Sequence, residues 1–153
     1  MQKKASRGAT VLPKAEFERL AHFRYQLRRF LRFSEEVTRE HGVTTLQYQL
    51  LLQLRGFPGR DWATVGELAE RLQAHHHGVV ALVSRCEAMG LVRRAVSAAD
   101  GRQVEVHLTA AGRRRVATLA ALHRAELRTL QDEFMLAARL GGPGKARRSR
   151  GEA

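Results

Sequence analysis

Apolar positions recur along this chain in helical and strand rhythms, and their order predicts its architecture. From Lys14 to His41, Phe17, Leu20, Phe23, Leu27, Phe30, Leu31 and Val37 fall along one stripe, which predicts a long amphipathic helix closed by Gly42. Val43-Thr44-Thr45 supplies a new cap, and Leu46 to Leu54 is apolar on more than one side through Leu46, Leu50, Leu51, Leu52 and Leu54. That second helix is expected at the centre. Gly56-Phe57-Pro58-Gly59 then breaks the chain before Trp62, which is placed to form a small third strand beside a hairpin further on.

Residues 64 to 109 carry the most specific pattern. Thr64-Val65-Gly66-Glu67 is a capping box that opens a helix with Leu68, Ala69 and Leu72 on one face. After Gln73-Ala74, a further helix places Val79, Leu82, Val83 and Cys86 on its single apolar face and exits through Gly90. Leu91 to Val96 reads as a strand, and Gln103 to Leu108 alternates, with Val104, Val106 and Leu108 inward and Glu105 and His107 outward. Asp100-Gly101 suits a hairpin tip between them. Helix, short turn, helix and hairpin in this order is the wiring of a winged helix, whose second helix can enter a DNA major groove while the tip reaches the adjacent minor groove. The same elements without a nucleic-acid role are the plain alternative, because element order alone does not establish function.

From Thr109 a last long helix runs with Val116, Leu119, Leu122 or His123, Leu127, Leu130 and Phe134 in its stripe, fading at Gly141-Gly142-Pro143-Gly144. The predicted fold class is mainly α (α+β), a winged helix-turn-helix core between long N- and C-terminal dimerisation helices. Its divisions are a loose arm at 1–13, N-terminal helices at 14–56, the winged region at 57–109, a C-terminal dimerisation helix at 110–140 and a basic tail at 141–153. Helices of about 25 to 30 residues leave apolar surface that so small a core cannot cover, so a homodimer is expected.

Charge narrows the partners. Among 153 residues, 27 Lys and Arg face 15 Asp and Glu, giving +12, a surface that attracts polyanions. Double-stranded DNA is the expected partner. No apolar run reaches the ~18 residues of a spanning helix, and Met1-Gln2-Lys3-Lys4 leads into polar sequence, so the prediction is a cytoplasmic, nucleoid-associated protein without a membrane partner. The chain lacks a phosphate-cradling glycine loop, a nucleophile elbow and His-Glu-x-x-His, and neither an enzyme nor a cofactor is expected.

Specific runs resemble the MarR-type transcriptional regulators over about Lys14 to Leu130. They are Val43-Thr44-Thr45-Leu46-Gln47-Tyr48, Gly66-Glu67-Leu68-Ala69, the stretch from Leu82 to Arg94, Asp100-Gly101-Arg102, and Leu108-Thr109-Ala110-Ala111-Gly112. The resemblance implies a homodimer that represses or activates genes and, in many members, releases DNA on binding a small molecule. It also suggests an inducer cleft between the first long helix, the second helix and the winged core. Tyr25, Arg29, Tyr48 and Trp62 are its candidate lining, suited to an anionic aromatic compound. His75-His76-His77-Gly78 departs from the family's usual entry to the recognition helix, so base contacts are not carried over.

Candidate DNA contacts follow from placement. Arg102 at the tip can enter a narrow minor groove, with Asp100 holding it in place. His75, His76, His77 and Ser84 sit where a recognition helix meets bases or phosphates. Arg85, Arg93, Arg94 and Arg113 to Arg115 are candidate phosphate contacts. Between Thr64 and Arg115 eight Arg face five acidic residues, a modest excess of three that leaves a solvated surface as the plain reading of any one of them. Lys145, Arg147, Arg148 and Arg150 form a tail suited to nonspecific contact.

Three further readings carry less. A winged-helix protein-interaction or nonspecific nucleoid-binding module fits the charge. Glu40-His41 resembles part of the family's zinc-sensing branch, yet successive helical histidines point about 100° apart and cannot converge on one ion, so no metal site is expected. Cys86 lies in an apolar stripe, which favours packing over redox sensing.

Overall fold

A computed structural model of the chain describes residues 11–140; backbone alone is described at Phe134 and at 136–140. The basic tail and most of the N-terminal arm lie outside the described residues, as does the side chain of Phe134. Five helices and a small sheet follow one another as α1 (Lys14–Glu40), α2 (Thr45–Arg55), β1 (Trp62–Thr64), α3 (Val65–Leu72), α4 (His76–Ala88), β2 (Val92–Val96), β3 (Val104–Leu108) and α5 (Ala110–Leu140). This is the predicted α+β winged arrangement.

Local chemistry sets the boundaries. Thr44 and Gln47 close a reciprocal capping box on α2, and Thr64 and Glu67 do the same on α3. The carboxylate of Glu67 also meets the guanidinium of Arg60 at 2.5 Å. Burial alone would raise the Glu67 carboxyl, but the Thr64 backbone N–H and Arg60 outweigh it and hold the group below its ordinary value. This cap is therefore intact above the ordinary carboxylate range and is lost as pH falls through the lowered value. Gly90 ends α4 at φ +73°, with the Leu91 N–H returning to the Cys86 carbonyl at 3.0 Å.

The sheet order is β1-β3-β2, all antiparallel, with Trp62 opposite His107 and Val92 opposite Leu108. Leu50, Leu51 and Leu54 of α2 are fully buried beside Leu68, Val79, Val83, Cys86, Val106, Val116 and Leu119, so α2 is the central helix. One inward assignment fails: Val104 is 39% exposed. It pairs with Val96 at the wing end of the sheet, beyond the reach of the core. Glu105 and His107, expected outward, are half-buried, since they pair with each other at 2.8 Å and His107 stacks on Trp62.

Much of the α1 stripe is only partly covered. Phe17, Leu20, Phe23 and Leu31 are about half exposed, and on α5 so is Leu127. Where α1, α2 and α5 do meet, His123 is the residue turned inward while Leu122 is exposed. Its Nδ1 donates to the Leu119 carbonyl at 2.7 Å, its Nε2 meets Ser34 Oγ at 2.8 Å, and its ring stacks on Tyr48 at 4.3 Å.

Candidate nucleic-acid interface

Helix α3 turns into α4 through Gln73, which adopts the left-handed conformation at φ 50° and ψ 46°. The turn buries Val79, Leu82, Val83 and Cys86 and leaves the opposite face of α4 in solvent. His75, His76, His77, Ser84 and Arg85 are all exposed there. His75 is the N-cap and lies outside helical geometry, so its ring stacks parallel to that of His77 at 5.7 Å instead of diverging from it. His76 stands apart and lines a cleft of about 430 Å3 between α4 and the wing, facing Val80, Arg94, Arg102 and Val104. Helix α4 and the wing thus border one cleft.

At the tip, Ser97 Oγ accepts from the backbone N–H groups of Ala99 and Asp100, and Asp100 Oδ1 accepts from the backbone N–H of Arg102 at 3.0 Å. Asp100 therefore shapes the turn and holds the Arg102 backbone, while the guanidinium has no ion-pair partner among the described residues. Arg85 and Arg93 are likewise exposed and unpaired among them. An unpaired guanidinium on a hairpin tip is chemically suited to a phosphate-lined groove.

Arg94 and Ser84 are placed differently. The Arg94 guanidinium bonds Glu87 Oε1, the Val80 carbonyl and Ser84 Oγ, so both side chains are engaged within the protein. Strand alternation explains it, because Arg94 lies on the same face of β2 as buried Val92, whereas Arg93 lies on the other. Arg113 and Arg115 are partly engaged too, at Asp61 and at the His41 carbonyl.

The four residues suggested for an inducer cleft are not brought together. Tyr25 and Arg29, one turn apart, stack on each other on the exposed side of α1. Tyr48 points inward against His123, and burial pushes its phenol up. Trp62 is covered by His107 and by Arg60, whose guanidinium sits 3.9 Å from its ring and 4.3 Å from that of Phe57. Burial separates the two tyrosines, since Tyr25 of α1 is exposed whereas Tyr48 of α2 is buried. Of the four, Tyr48 borders a cleft of about 350 Å3 with Leu52, His123, Arg124, Leu127 and Arg128. The alternation of Phe57, Arg60 and Trp62 was the available sign of the cation–π stack. Arg124 and Arg128, one turn apart beside His123, were the sign of this cleft.

Among the described residues no cluster of three His, Cys, Asp or Glu could hold a metal ion, and no helix is long and apolar enough to cross a membrane. Cys86 is fully buried, which pushes its thiol from 9.0 up to about 11. Its alkylation by iodoacetamide at pH 8 should run at least ~100-fold slower than that of an exposed thiol, because so little thiolate is present. Labelling at the rate of the urea-unfolded chain would contradict this burial.

The MarR family sequence profile matches residues 41–103, from the end of α1 to the wing. A Thauera aromatica protein, to which transcriptional regulation of the hcr operon is ascribed, is 30% identical over 109 residues, 71% of this chain. Over these residues the chain is similar to the MarR family. It spans 62% of the length of that Thauera relative. Two solved structures share its fold. AbsC, a MarR family transcriptional regulator from Streptomyces coelicolor, superposes with a TM-score of 0.70 at 22% identity, over 87% of this chain and 94% of that one. A Staphylococcus aureus MepR variant bound to an oligodeoxyribonucleotide gives 0.60 at 20% identity, over 85% and 94%.

Proposed function

We propose that this chain is a MarR-type, sequence-specific DNA-binding transcriptional regulator, a repressor that acts as a homodimer on a pseudo-palindromic operator. The observation that carries this reading is that α4 and the wing border one cleft, lined by His76 and Arg102, while His75 and His77 are exposed beside it at the start of α4. A convex helix flanked by a cationic tip matches a major groove beside a minor groove. The half-exposed stripe of α1 gives a second copy an apolar face to cover. Two-fold pairing then sets the recognition helices about 34 Å apart, one DNA turn. Binding and release of DNA require no reaction, in keeping with a regulator rather than an enzyme.

Substituting Arg102→Ala should weaken binding roughly 10-fold on every sequence and lower the salt slope by about one, the signature of a lost backbone contact. His77→Ala should instead change the preference at particular bases. Fluorescence anisotropy on matched and scrambled duplexes separates the two. Equal losses for both variants on random DNA would refute specific readout.

A second reading, release by an anionic aromatic ligand, is favoured by the cleft beside Tyr48. Stacked Tyr48 and His123 rings adjoin Arg124 and Arg128, neither of which has an ion-pair partner among the described residues. A carboxylate can meet the two guanidinium groups while an aromatic ring lies against the apolar lining. Its site is this cleft, not the four-residue cluster the sequence suggested.

A further inference from the structure

We propose that Arg94 is a positioning residue that staples the recognition helix to the wing and fixes the angle between them, a role that rests on the DNA-binding reading above. Its Nη2 donates to Ser84 Oγ at 2.8 Å and to the Val80 carbonyl at 3.1 Å, and its Nη1 donates to Glu87 Oε1 at 3.2 Å. The other oxygen of the same carboxylate accepts the Arg94 backbone N–H at 2.7 Å. Val80, Ser84 and Glu87 occupy positions i, i+4 and i+7, so one guanidinium spans two turns along a single edge of α4.

Three features distinguish this from a phosphate contact. The side chain is only 28% exposed. Its bonds are charge-assisted and met within the protein, so contact with phosphate would require breaking them. Its neighbour Arg93, exposed and without an ion-pair partner among the described residues, is free to meet phosphate from the opposite face of β2. Because β2 leads directly to the tip that carries Arg102, a staple from β2 to α4 holds the major-groove and minor-groove elements as one body. The planar fork of arginine can reach three acceptors in this way; a lysine ammonium cannot reproduce that geometry.

The test compares the salt dependence of DNA affinity for the full chain and its Arg94→Ala, Arg94→Lys, Glu87→Gln and Arg93→Ala variants, using a duplex the wild type binds. For a staple, Arg94→Ala and Arg94→Lys both weaken binding about 10-fold with an unchanged slope of log affinity against log salt. Glu87→Gln weakens binding in the same direction although it removes a negative charge, and combining it with Arg94→Ala adds little further loss. Arg93→Ala lowers the slope by about 0.9. The proposal is overturned if Arg94→Lys binds like wild type, if Arg94→Ala lowers the slope, or if Glu87→Gln binds more tightly. Should Arg94→Ala fail to fold, the Lys and Gln variants still decide. A wild-type chain that binds no duplex at all would instead overturn the DNA-binding reading.

Discussion

Replacing Gly112 with Ala should leave the chain unfolded or cost more than about 4 kcal/mol, although helix propensity alone favours Ala over Gly by about 1 kcal/mol. A Cβ at this buried position in the first turn of α5 would lie 2.0 Å from the Leu91 carbonyl oxygen and 3.0 Å from its carbon. Both are backbone atoms and neither can turn aside. The Leu91 carbonyl already accepts the Thr109 N–H at 3.1 Å, while Thr109 Oγ donates to the Gly90 carbonyl at 2.6 Å and accepts the Gly112 N–H at 3.1 Å. This knot joins the exit of α4 to the start of α5, so relief of the clash must pry them apart. Gly78 in α4 is the control, since a Cβ there meets nothing within 4 Å. Gly78→Ala should stabilise by roughly 0.5–1 kcal/mol. Urea unfolding in which Gly112→Ala was the more stable of the two variants would contradict the close approach.

His123→Ala should cost about 3–5 kcal/mol, the largest loss expected from a polar residue here. The substitution opens a cavity where the ring stacks on Tyr48 and meets the edges of Phe33 and Phe30, and it leaves Ser34 Oγ buried without its partner. His123→Phe restores the ring contacts and not the hydrogen bond, so it should recover about half of the loss. Ser34→Ala removes the hydroxyl itself and should cost only about 1–2 kcal/mol. The order Ala worse than Phe worse than the Ser34 variant, read from urea midpoints at constant m-value, is the expected result. A His123→Ala midpoint matching wild type would show that this three-helix junction is not packed as described.

What the sequence made legible was local. The cap within Val43-Thr44-Thr45, the capping box at Thr64, the left-handed exit at Gly90, the apolar face of α4 and the hairpin are each dictated by residues a few positions apart, and all were found where expected. Contacts that depend on how elements rotate against one another were not legible. The pattern left Leu122 and His123 as equal candidates for the inward position; Ser34, 89 residues away, makes a bond only the histidine can accept. Likewise Arg94 looked like a surface cation until β2 laid it across α4, and Tyr25, Arg29, Tyr48 and Trp62 shared a chemical character but not a place.

The central claim is that two copies present matching recognition helices to one face of a duplex. Selection of bound duplexes from a random pool at near-physiological salt, with the full-length chain, tests it most directly. The account predicts enrichment of an inverted repeat whose half-site centres lie about 10 base pairs apart. A pool that stays random, or that yields single half-sites without a fixed spacing, would contradict it.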